Sequence, residues 1–203
     1  MKILLATQNQ GKVKELQEML ADARIDVLSL RDIPDWEEVE ETGQTFAENA
    51  ALKAHAAAER TGYIALADDS GLEVDALGGA PGVYSARYAG EPKDDEGNNN
   101  KLLQELREVP DEERTARFRC ALVIATPEGQ EFLTEGTLEG RILRAPRGHE
   151  GFGYDPLFFI PDFARTMAEL TIIQKNKISH RAQAFQKAIP ILKDLISQKQ
   201  RVF

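Results

Sequence analysis

Apolar and polar positions near the start of the chain follow first a strand-like and then a helix-like pattern. Residues 2–7, KILLAT, form a short apolar run that predicts a buried strand, and residues 25–30, IDVLSL, predict a second one. From Lys12 to about Ala21, apolar residues recur every three or four positions, which predicts a helix with one buried face. Strand, helix and strand in this order are typical of α/β proteins.

A second helix and a third strand are predicted before the middle of the chain. Thr45 and Glu48 have capping-box spacing, the alanine-rich run after them favours helix, and Gly62 is placed to end it. The apolar run YIALA at residues 63–67 predicts a strand that ends at Asp68. Ligand sites of α/β proteins gather at the carboxyl ends of strands, so this position is a candidate site.

The remaining pattern predicts a helix, a hairpin, a loop followed by a strand, and a C-terminal helix with a kink at Pro190. These segments are, in order, residues 98–109, the pair 117–126 and 130–142, residues 148–160, and the stretch from about Ser179. We find neither an internal repeat nor a linker in the sequence. One domain over residues 1–203 is predicted, and the hairpin region is where a second lobe would form.

Length, charge and cysteine content narrow the class of protein. A chain of 203 residues is enough for one well-buried domain. The net charge of −9 argues against a general DNA- or RNA-binding protein, which usually carries a basic face, but leaves nucleotides open. The sequence shows neither a signal peptide nor a membrane span, and the single Cys120 fits a reducing compartment. We therefore expect a cytoplasmic protein that does not act at a membrane.

Two groups of acidic residues indicate a cation site. Asp68 and Asp69 are adjacent, and Glu40 and Glu41 belong to an acidic loop at residues 35–43. Adjacent carboxylates repel each other unless a cation offsets their charge. Mg²⁺ is commonly held by one or two carboxylates together with substrate phosphates. For the glutamates the alternative is a solvated loop, and for Asp68 and Asp69 it is a helix or turn cap. The cap is the weaker alternative because it needs only one aspartate.

The stretch TQNQGK, residues 7–12, places a polar turn between a strand and a helix. Free N–H groups at a helix N-terminus attract phosphate, and Thr7, Asn9 and Lys12 would add donors and charge. An ordinary turn with a surface lysine explains the stretch equally well.

Two later stretches combine glycine, aromatic and cationic residues. In GFGYDP, residues 151–156, flexible glycines would let Phe152 stack on a base, although a tight turn with a core phenylalanine is the simpler interpretation. In KNKISHR, residues 175–181, cations gather at an expected helix start with Ser179 as its N-cap. Cations at that end oppose the helix dipole, which suggests a binding role.

Together these motifs resemble the inosine triphosphate pyrophosphatase family, the non-standard purine nucleoside triphosphate pyrophosphatases. Four stretches carry the resemblance, in order, over nearly the whole chain: TQNQGK, ADDSGLEVDALGGAPGVYSARY, GFGYDPLF and SHR. The resemblance implies an α/β fold with an elongated mixed β-sheet flanked by helices, two lobes with a central active-site cleft, and a homodimer. It also implies Mg²⁺-dependent hydrolysis of ITP, dITP and XTP to the monophosphate and pyrophosphate, which keeps these bases out of DNA and RNA.

The resemblance also implies roles for individual residues. Asp69 is the implied general base and, with Glu40 or Glu41, a metal ligand. Ile173 and Gln174 stand where many members have two acids, so any role of those acids is open. The implied substrate contacts are Thr7, Gln8, Asn9, Gln10, Gly11, Lys12, Lys53, Ser70, Phe152, Gly153, Tyr154, Asp155, Lys175, His180 and Arg181.

A single displacement by water at the α-phosphorus is the expected mechanism. Asp69 would accept the proton of the water, and Lys12 and Lys53 would offset charge on the departing pyrophosphate. Lys175 and Arg181 only donate hydrogen bonds, so a pocket built from them favours 6-oxo purines over adenine. Two alternatives are a nucleotide-binding regulatory module without catalysis and a related phosphohydrolase for pyrimidine or modified nucleotides.

Overall fold

A computed structural model of the protein describes residues 2–20 and 25–201. The strands in these residues are β1 (Lys2–Leu5), β2 (Asp26–Ser29), β3 (Ile64–Val74), β4 (Thr115–Ala125), β5 (Glu131–Ile142), β6 (Phe158–Ile160) and β7 (Arg165–Thr166). The α-helices are α1 (Gln10–Leu20), α2 (Phe46–Thr61), α3 (Asp95–Glu105), α4 (Ile172–Ile178) and α5 (His180–Arg201).

The seven described strands form one mixed sheet in the order β2–β1–β3–β4–β5–β6–β7. β1 runs parallel to both β2 and β3, whereas β6 is antiparallel to β5 and to β7. Parallel neighbours need a crossover connection, and α1 and α2 lie in the two connections that join β1, β2 and β3 along the chain. The expected α/β class, with a mixed sheet flanked by helices, is therefore confirmed.

The chain divides into two compact units. The first unit comprises the described parts of Met1–Asp69, Cys120–Gly136 and Arg181–Phe203, and the second comprises Ser70–Arg119 and Thr137–His180. The long strands β3, β4 and β5 contribute residues to both units. The single domain over residues 1–203 and the central cleft stay predictions.

In the first unit, alternate residues of β3 belong to two separate hydrophobic cores. Ile64 and Leu66 pack with Phe185 of α5, whereas Ala65 and Ala67 pack with the alanines of α2. Strand side chains point to opposite faces in turn, so a run of apolar residues can cover both faces. The small side chains on β3 and α2 let this helix lie close to the strand.

The second unit has one core, built around the far end of β3. Leu72 and Val74 of β3 pack with Leu102 of α3 and with the rings of Phe118 and Phe158. The centroids of these two rings lie 4.3 Å apart. Strand β6, which carries Phe158, is only three residues long, and Tyr154 and Leu157 of the loop before it also belong to this core.

The bounds of β3 differ from the predicted strand at residues 63–67. The strand continues through Asp68 and Asp69 to Val74, because buried Leu72 and Val74 resume the apolar alternation after the polar pair. The apolar run alone indicated that the aspartates lie at the carboxyl end of the strand. In the structure they lie inside it. The expected end of the first helix, at Ala21, lies outside the described residues.

Helix α2 begins and ends as the sequence predicts. The Thr45 hydroxyl accepts a hydrogen bond from Glu48 N at 3.2 Å, and Gly62 ends the helix in the left-handed conformation with φ of 69°. The Glu48 carboxylate accepts from the N–H of Gln44, one residue before the cap. These contacts fix the first turn of the helix that carries Asn49 and Lys53.

The cap of α2 gives a test of this account of the fold. Thr45→Ala removes the side-chain acceptor for an N–H of the first turn and should lower the free energy of unfolding by about 1 kcal/mol. Urea denaturation at pH 7 measures the difference. Thr42→Ala, in the exposed loop before the helix, is the matched control and should be neutral within about 0.5 kcal/mol. Equal losses for the two variants would contradict the capping role.

Candidate active site

Asp68 and Asp69 face opposite sides of β3 in the first unit. Asp68 follows Ile64 and Leu66 in the row that packs against α5, and Asp69 follows the alternate row that packs against α2. Each carboxylate accordingly meets different helices. The sequence presents the adjacent acids as one like-charge pair, but in the structure the two carboxylates lie in separate environments.

Asp68 is held by two cations. Its Oδ2 lies 2.8 Å from Lys12 Nζ of α1 and accepts from Arg181 Nε of α5 at 3.3 Å. The side chain is almost fully buried, which by itself would raise its pKa. Lys12, Arg181 and Lys53 more than offset that penalty and hold the pKa of Asp68 well below its ordinary value. Asp68 is thus an ionised anchor for cations that the resemblance assigns to substrate.

Asp69 meets a different set of groups on α2. Asn49 Nδ2 donates to its Oδ2 at 3.2 Å, and Lys53 Nζ lies 3.8 Å from its Oδ1. Burial raises the pKa of Asp69 and the nearby Glu41 carboxylate raises it further, while Lys53 and Asn49 act in the opposite direction without cancelling the rise. A carboxyl with a raised pKa is a better proton acceptor than an ordinary aspartate, which suits a general base.

Lys53 joins the acidic loop to β3. Its ammonium lies 2.7 Å from Glu41 Oε1 and donates to the backbone carbonyl of Asp68 at 2.9 Å. Two carboxylates, Glu41 and Asp69, therefore contact the same cation. Glu40 is exposed, and Glu41 is the member of the two that makes this contact.

The donor set at Lys53 fits a hard divalent cation. Mg²⁺ takes oxygen ligands and is usually held by one or two carboxylates, with substrate phosphates and water completing its shell. Glu41 and Asp69 are such carboxylates and already share one positive group. Within residues 2–20 and 25–201, no group of three or more His, Cys, Asp and Glu is arranged to hold a metal. Two protein carboxylates match the Mg²⁺ pattern in which the substrate supplies further ligands.

The TQNQGK stretch forms a capped helix start. Asn9 Oδ1 accepts from the N–H of Gly11 at 2.9 Å and from that of Lys12 at 3.4 Å. Thr7 Oγ1 accepts from the N–H of Asn9 at 3.1 Å. Asn9 therefore serves as an acceptor that caps α1, where the sequence suggested a donor to phosphate. The exposed Gln8, Gln10 and Gly11 and the ammonium of Lys12 are the parts of this turn left to face a ligand.

In the second unit, the GFGYDP loop surrounds a buried ion pair. Lys175 Nζ of α4 lies 2.8 Å from Asp155 Oδ2, and both residues are buried. Gly151 has a φ of 94°, and a Cβ at this position would collide with both charged groups. The loop presents Phe152 with 43% of its surface exposed, whereas Tyr154 is buried. The expected exposed ring is present, so the simpler interpretation of a core phenylalanine at this position is wrong.

The KNKISHR stretch contains the end of α4 and the start of α5. Lys175 and Lys177 occupy the last turn of α4, and Ser179 is its C-cap. Cations at a helix C-terminus are favoured by the dipole, so the predicted misplacement of these two lysines is wrong. Ser179 also directly precedes α5, and its role as an N-cap there stays a prediction. His180, the first residue of α5, is buried and stacks on Phe118 with centroids 5.0 Å apart.

Residue Gln174 explains how α4 tolerates the loss of the two acids found in many members of the family that the motifs resemble. Its side chain accepts from the N–H of Thr171 at 3.0 Å and completes a capping box, as a glutamate at this position would. Ile173 is 67% exposed and needs no partner to be accommodated. The replacement is thus compatible with the local structure.

Several polar residues at these sites were not assigned roles from the sequence. Asn49 accepts from Gly43 N through Oδ1 at 2.8 Å while Nδ2 holds Asp69, so it links the acidic loop to the strand. Ser85 Oγ accepts from Leu72 N, and its carbonyl accepts from Tyr154 OH at 2.8 Å. Both residues are buried polar groups, which the sequence alone does not reveal because burial depends on distant segments.

Comparisons with known proteins show the family of this chain. The Ham1 family model matches residues 3–191. A Desulforamulus reducens protein named dITP/XTP pyrophosphatase is 60% identical over 195 residues, which cover 96% of this chain and 97% of the relative. A Bacillus subtilis protein of the same name is 54% identical and covers 93% and 96%. The solved structure of a HAM1 protein from Coxiella burnetii is 43% identical, has a TM-score of 0.89, and covers 96% of this chain and 99% of its own.

The cation anchor at Asp68 gives a test of this site. Asp68→Asn leaves Lys12 and Arg181 without their buried counter-charge and should lower the free energy of unfolding at pH 7 by about 3 kcal/mol or more. The pKa of Asp68 is depressed in the folded protein, so its stabilisation is complete above the ordinary pKa and is lost as the pH falls below it. The difference between wild type and variant should therefore shrink below about pH 4.

Urea denaturation of both proteins from pH 3 to pH 7 makes this measurement. Glu108→Gln, which alters an exposed pair with Arg107, is the matched control and should cost less than about 1 kcal/mol. A loss for Asp68→Asn as small as that of the control would show that Asp68 does not anchor the two cations.

Proposed function

The chain belongs to the Ham1 family, and we propose that it hydrolyses dITP, XTP and ITP to the nucleoside monophosphate and pyrophosphate by a Mg²⁺-dependent reaction at Asp69. Among the geometric observations, the one that carries the proposal is Asp69 itself: a mostly buried carboxyl with a raised pKa, beside the ammonium of Lys53. Such hydrolysis removes non-standard purines from the nucleotide pool before polymerases can use them.

The reaction is a displacement at the α-phosphorus. The oxygen of water bonds to that phosphorus, its proton passes to Asp69, and the bond to the β-phosphate oxygen breaks to release pyrophosphate. Asn49 and Lys53 hold the Asp69 carboxylate in place through contacts at its two oxygens. The Lys12 ammonium, fixed by Asp68, offsets negative charge on the phosphates.

Mg²⁺ would be held by Glu41 and Asp69, with Glu41 preferred over the exposed Glu40. When bound, the ion supplies positive charge to the phosphate oxygens and favours ionisation of the attacking water. Lys53 contributes a fixed positive charge at the same carboxylates.

Recognition of the purine is assigned to the second unit. The Lys175 ammonium donates only, so it favours the 6-oxo group of hypoxanthine and xanthine over the 6-amino group of adenine. Asp155 fixes that ammonium at 2.8 Å, and Phe152 offers an exposed ring for stacking. Arg181 is bonded to Asp68, so its main role is in the first unit and Lys175 is the preferred reader of the base.

We further propose a cytoplasmic homodimer, as the resemblance implies. Cys120, the single cysteine of the sequence, is buried and has no second cysteine in the chain for a disulfide, which is compatible with a reducing compartment. In the part of the chain that the structure describes, no helix has the length and apolar character needed to cross a bilayer.

A regulatory nucleotide-binding module is the alternative from another class. It would use the same cations and aromatic ring, but a polyanion gains nothing from a second carboxylate facing it. Asp69 and Glu41, both at Lys53, therefore favour catalysis. An enzyme for pyrimidine nucleotides is disfavoured by the names of the relatives.

The substrate class is tested by a panel of nucleoside triphosphates. With Mg²⁺ present, pyrophosphate release from dITP, XTP and ITP should exceed release from ATP by about 100-fold or more in kcat/KM, because adenine leaves a buried donor unpaired. Omission of the metal should abolish release. Equal rates on all purines would contradict base selection, and nucleotide binding without release would favour the regulatory module.

The role of Asp69 is tested by Asp69→Asn. The amide cannot accept the proton, so kcat should fall by at least about 100-fold, the usual contribution of a general base. Affinity for the product dIMP, which needs no proton transfer, should change far less. Glu73→Gln is the matched control and should keep wild-type turnover. Glu73 lies four residues after Asp69 on the same strand, on the same face by alternation. Undiminished turnover in Asp69→Asn would remove Asp69 from the reaction.

A further inference from the structure

Helix α3 grips the GFGYDP loop at both backbone groups of Gly153. Gly153 N donates to Asp95 Oδ2 at 2.9 Å, and Gly153 O accepts from Asn99 Nδ2 at 2.9 Å. Asp95 and Asn99 are four residues apart and so lie one above the other on the helix. Two side chains of one helical face therefore hold a single residue of the loop.

The pair of contacts from Asp95 and Asn99 to Gly153 acts as a clamp on the loop. The loop needs it because its backbone is glycine-rich. Gly151 and Gly153 have φ values of 94° and 60°, which glycine adopts without steric cost. The same freedom lets unheld glycines reorient. Tyr154 on the far side is anchored by its bond to the Ser85 carbonyl, while the Phe152 ring between the glycines is 43% exposed. Phe152 itself is linked to Asp155, whose Oδ2 accepts from Phe152 N at 3.4 Å and whose N–H donates to Phe152 O at 3.3 Å. The contacts of α3 with Gly153 add a second constraint directly after the ring.

The amide of Asn99 is used in a way that serves the loop. Both of its protons are engaged, since Nδ2 also donates to the Asp95 carbonyl at 2.8 Å. Its Oδ1 is buried and has no hydrogen-bond partner among the described residues. A buried acceptor without a partner destabilises the fold. The residue is therefore better explained by the geometry of the loop than by the stability of α3.

We propose that Asp95 and Asn99 are positioning residues that fix Phe152 for stacking on the purine. The inference rests on the proposed function, in which Phe152 contacts the base. A ring held in place before binding avoids the ordering cost that a mobile ring imposes when the nucleotide arrives. The clamp should therefore act on KM far more than on kcat, and only through Phe152.

A double-mutant cycle on dITP hydrolysis tests this directly. Phe152→Ala should raise KM about tenfold or more, the loss expected for base stacking. Asn99→Ala should raise KM about fivefold through the ordering cost, with kcat within about twofold of wild type. The double variant should match Phe152→Ala alone, because the clamp then has nothing to position. Asn100→Ala, an exposed neighbour on the same helix, is the matched control and should match wild type.

Asp95 supplies a second pair of variants, whose result does not depend on whether the Asn99→Ala protein folds. Asp95→Ala removes the acceptor for Gly153 N and should raise KM about fivefold. Asp95→Asn keeps an amide oxygen as acceptor and should restore KM to within about twofold of wild type. Equal KM values for these two variants would overturn the role of Asp95 in the clamp.

The outcomes separate this inference from the proposed function. Wild-type KM in Asn99→Ala, or the same rise in KM with and without Phe152, overturns the inference while the activity stands. Wild-type KM in Phe152→Ala also overturns it. A protein that binds dIMP but releases no pyrophosphate contradicts the proposed function, and the same cycle measured on the dIMP Kd then decides the inference. A protein with neither turnover nor dIMP binding overturns both.

Discussion

Consecutive residues of an extended strand point to opposite faces, and this alternation gives Asp68 and Asp69 different partners. On one face of β3, Ile64 and Leu66 precede Asp68 and pack against α5; on the other face, Ala65 and Ala67 precede Asp69 and pack against α2. One carboxylate therefore receives Lys12 and Arg181, and the other receives Asn49 and Lys53. A one-residue change of register would exchange the two environments, so the strand register is what the chemistry of the first unit depends on.

The two environments have opposite electrostatic consequences. Asp68 is compensated beyond the cost of its burial, so its charge stabilises the fold. Asp69 is compensated incompletely, because Glu41 opposes Lys53 and Asn49, and its pKa rises. Incomplete compensation is what a general base and a cation site require, since a carboxylate satisfied by the protein has little left to offer a ligand. In the second unit, as at Asp68, a buried charge is paired with an opposite one: Asp155 holds the ammonium of Lys175.

Local features of the fold were predictable from the sequence, and distant contacts were not. The cap at Thr45, the end at Gly62 and the class of fold follow from neighbouring residues and apolar periodicity. The four motifs carry a family resemblance that the comparisons confirm. That Asp68 and Asp69 face opposite sides of one strand was not predicted, because it required knowing that β3 continues to Val74. The contacts of Asn99 and Lys175 join segments 54 and 20 residues apart, beyond any local pattern.

The central claim is that Asp68 serves the fold while Asp69 serves the reaction at the expense of the fold. The free energy of unfolding of Asp69→Asn at pH 7 tests it most directly. The pKa of Asp69 is raised in the folded state, so its carboxyl destabilises that state once the pH exceeds the ordinary pKa of an aspartate. Replacing Asp69 with the neutral Asn should therefore leave the free energy of unfolding unchanged or increase it. A loss of about 3 kcal/mol, the size expected when a buried ion pair is broken, would contradict the claim and make Asp69 a structural anchor.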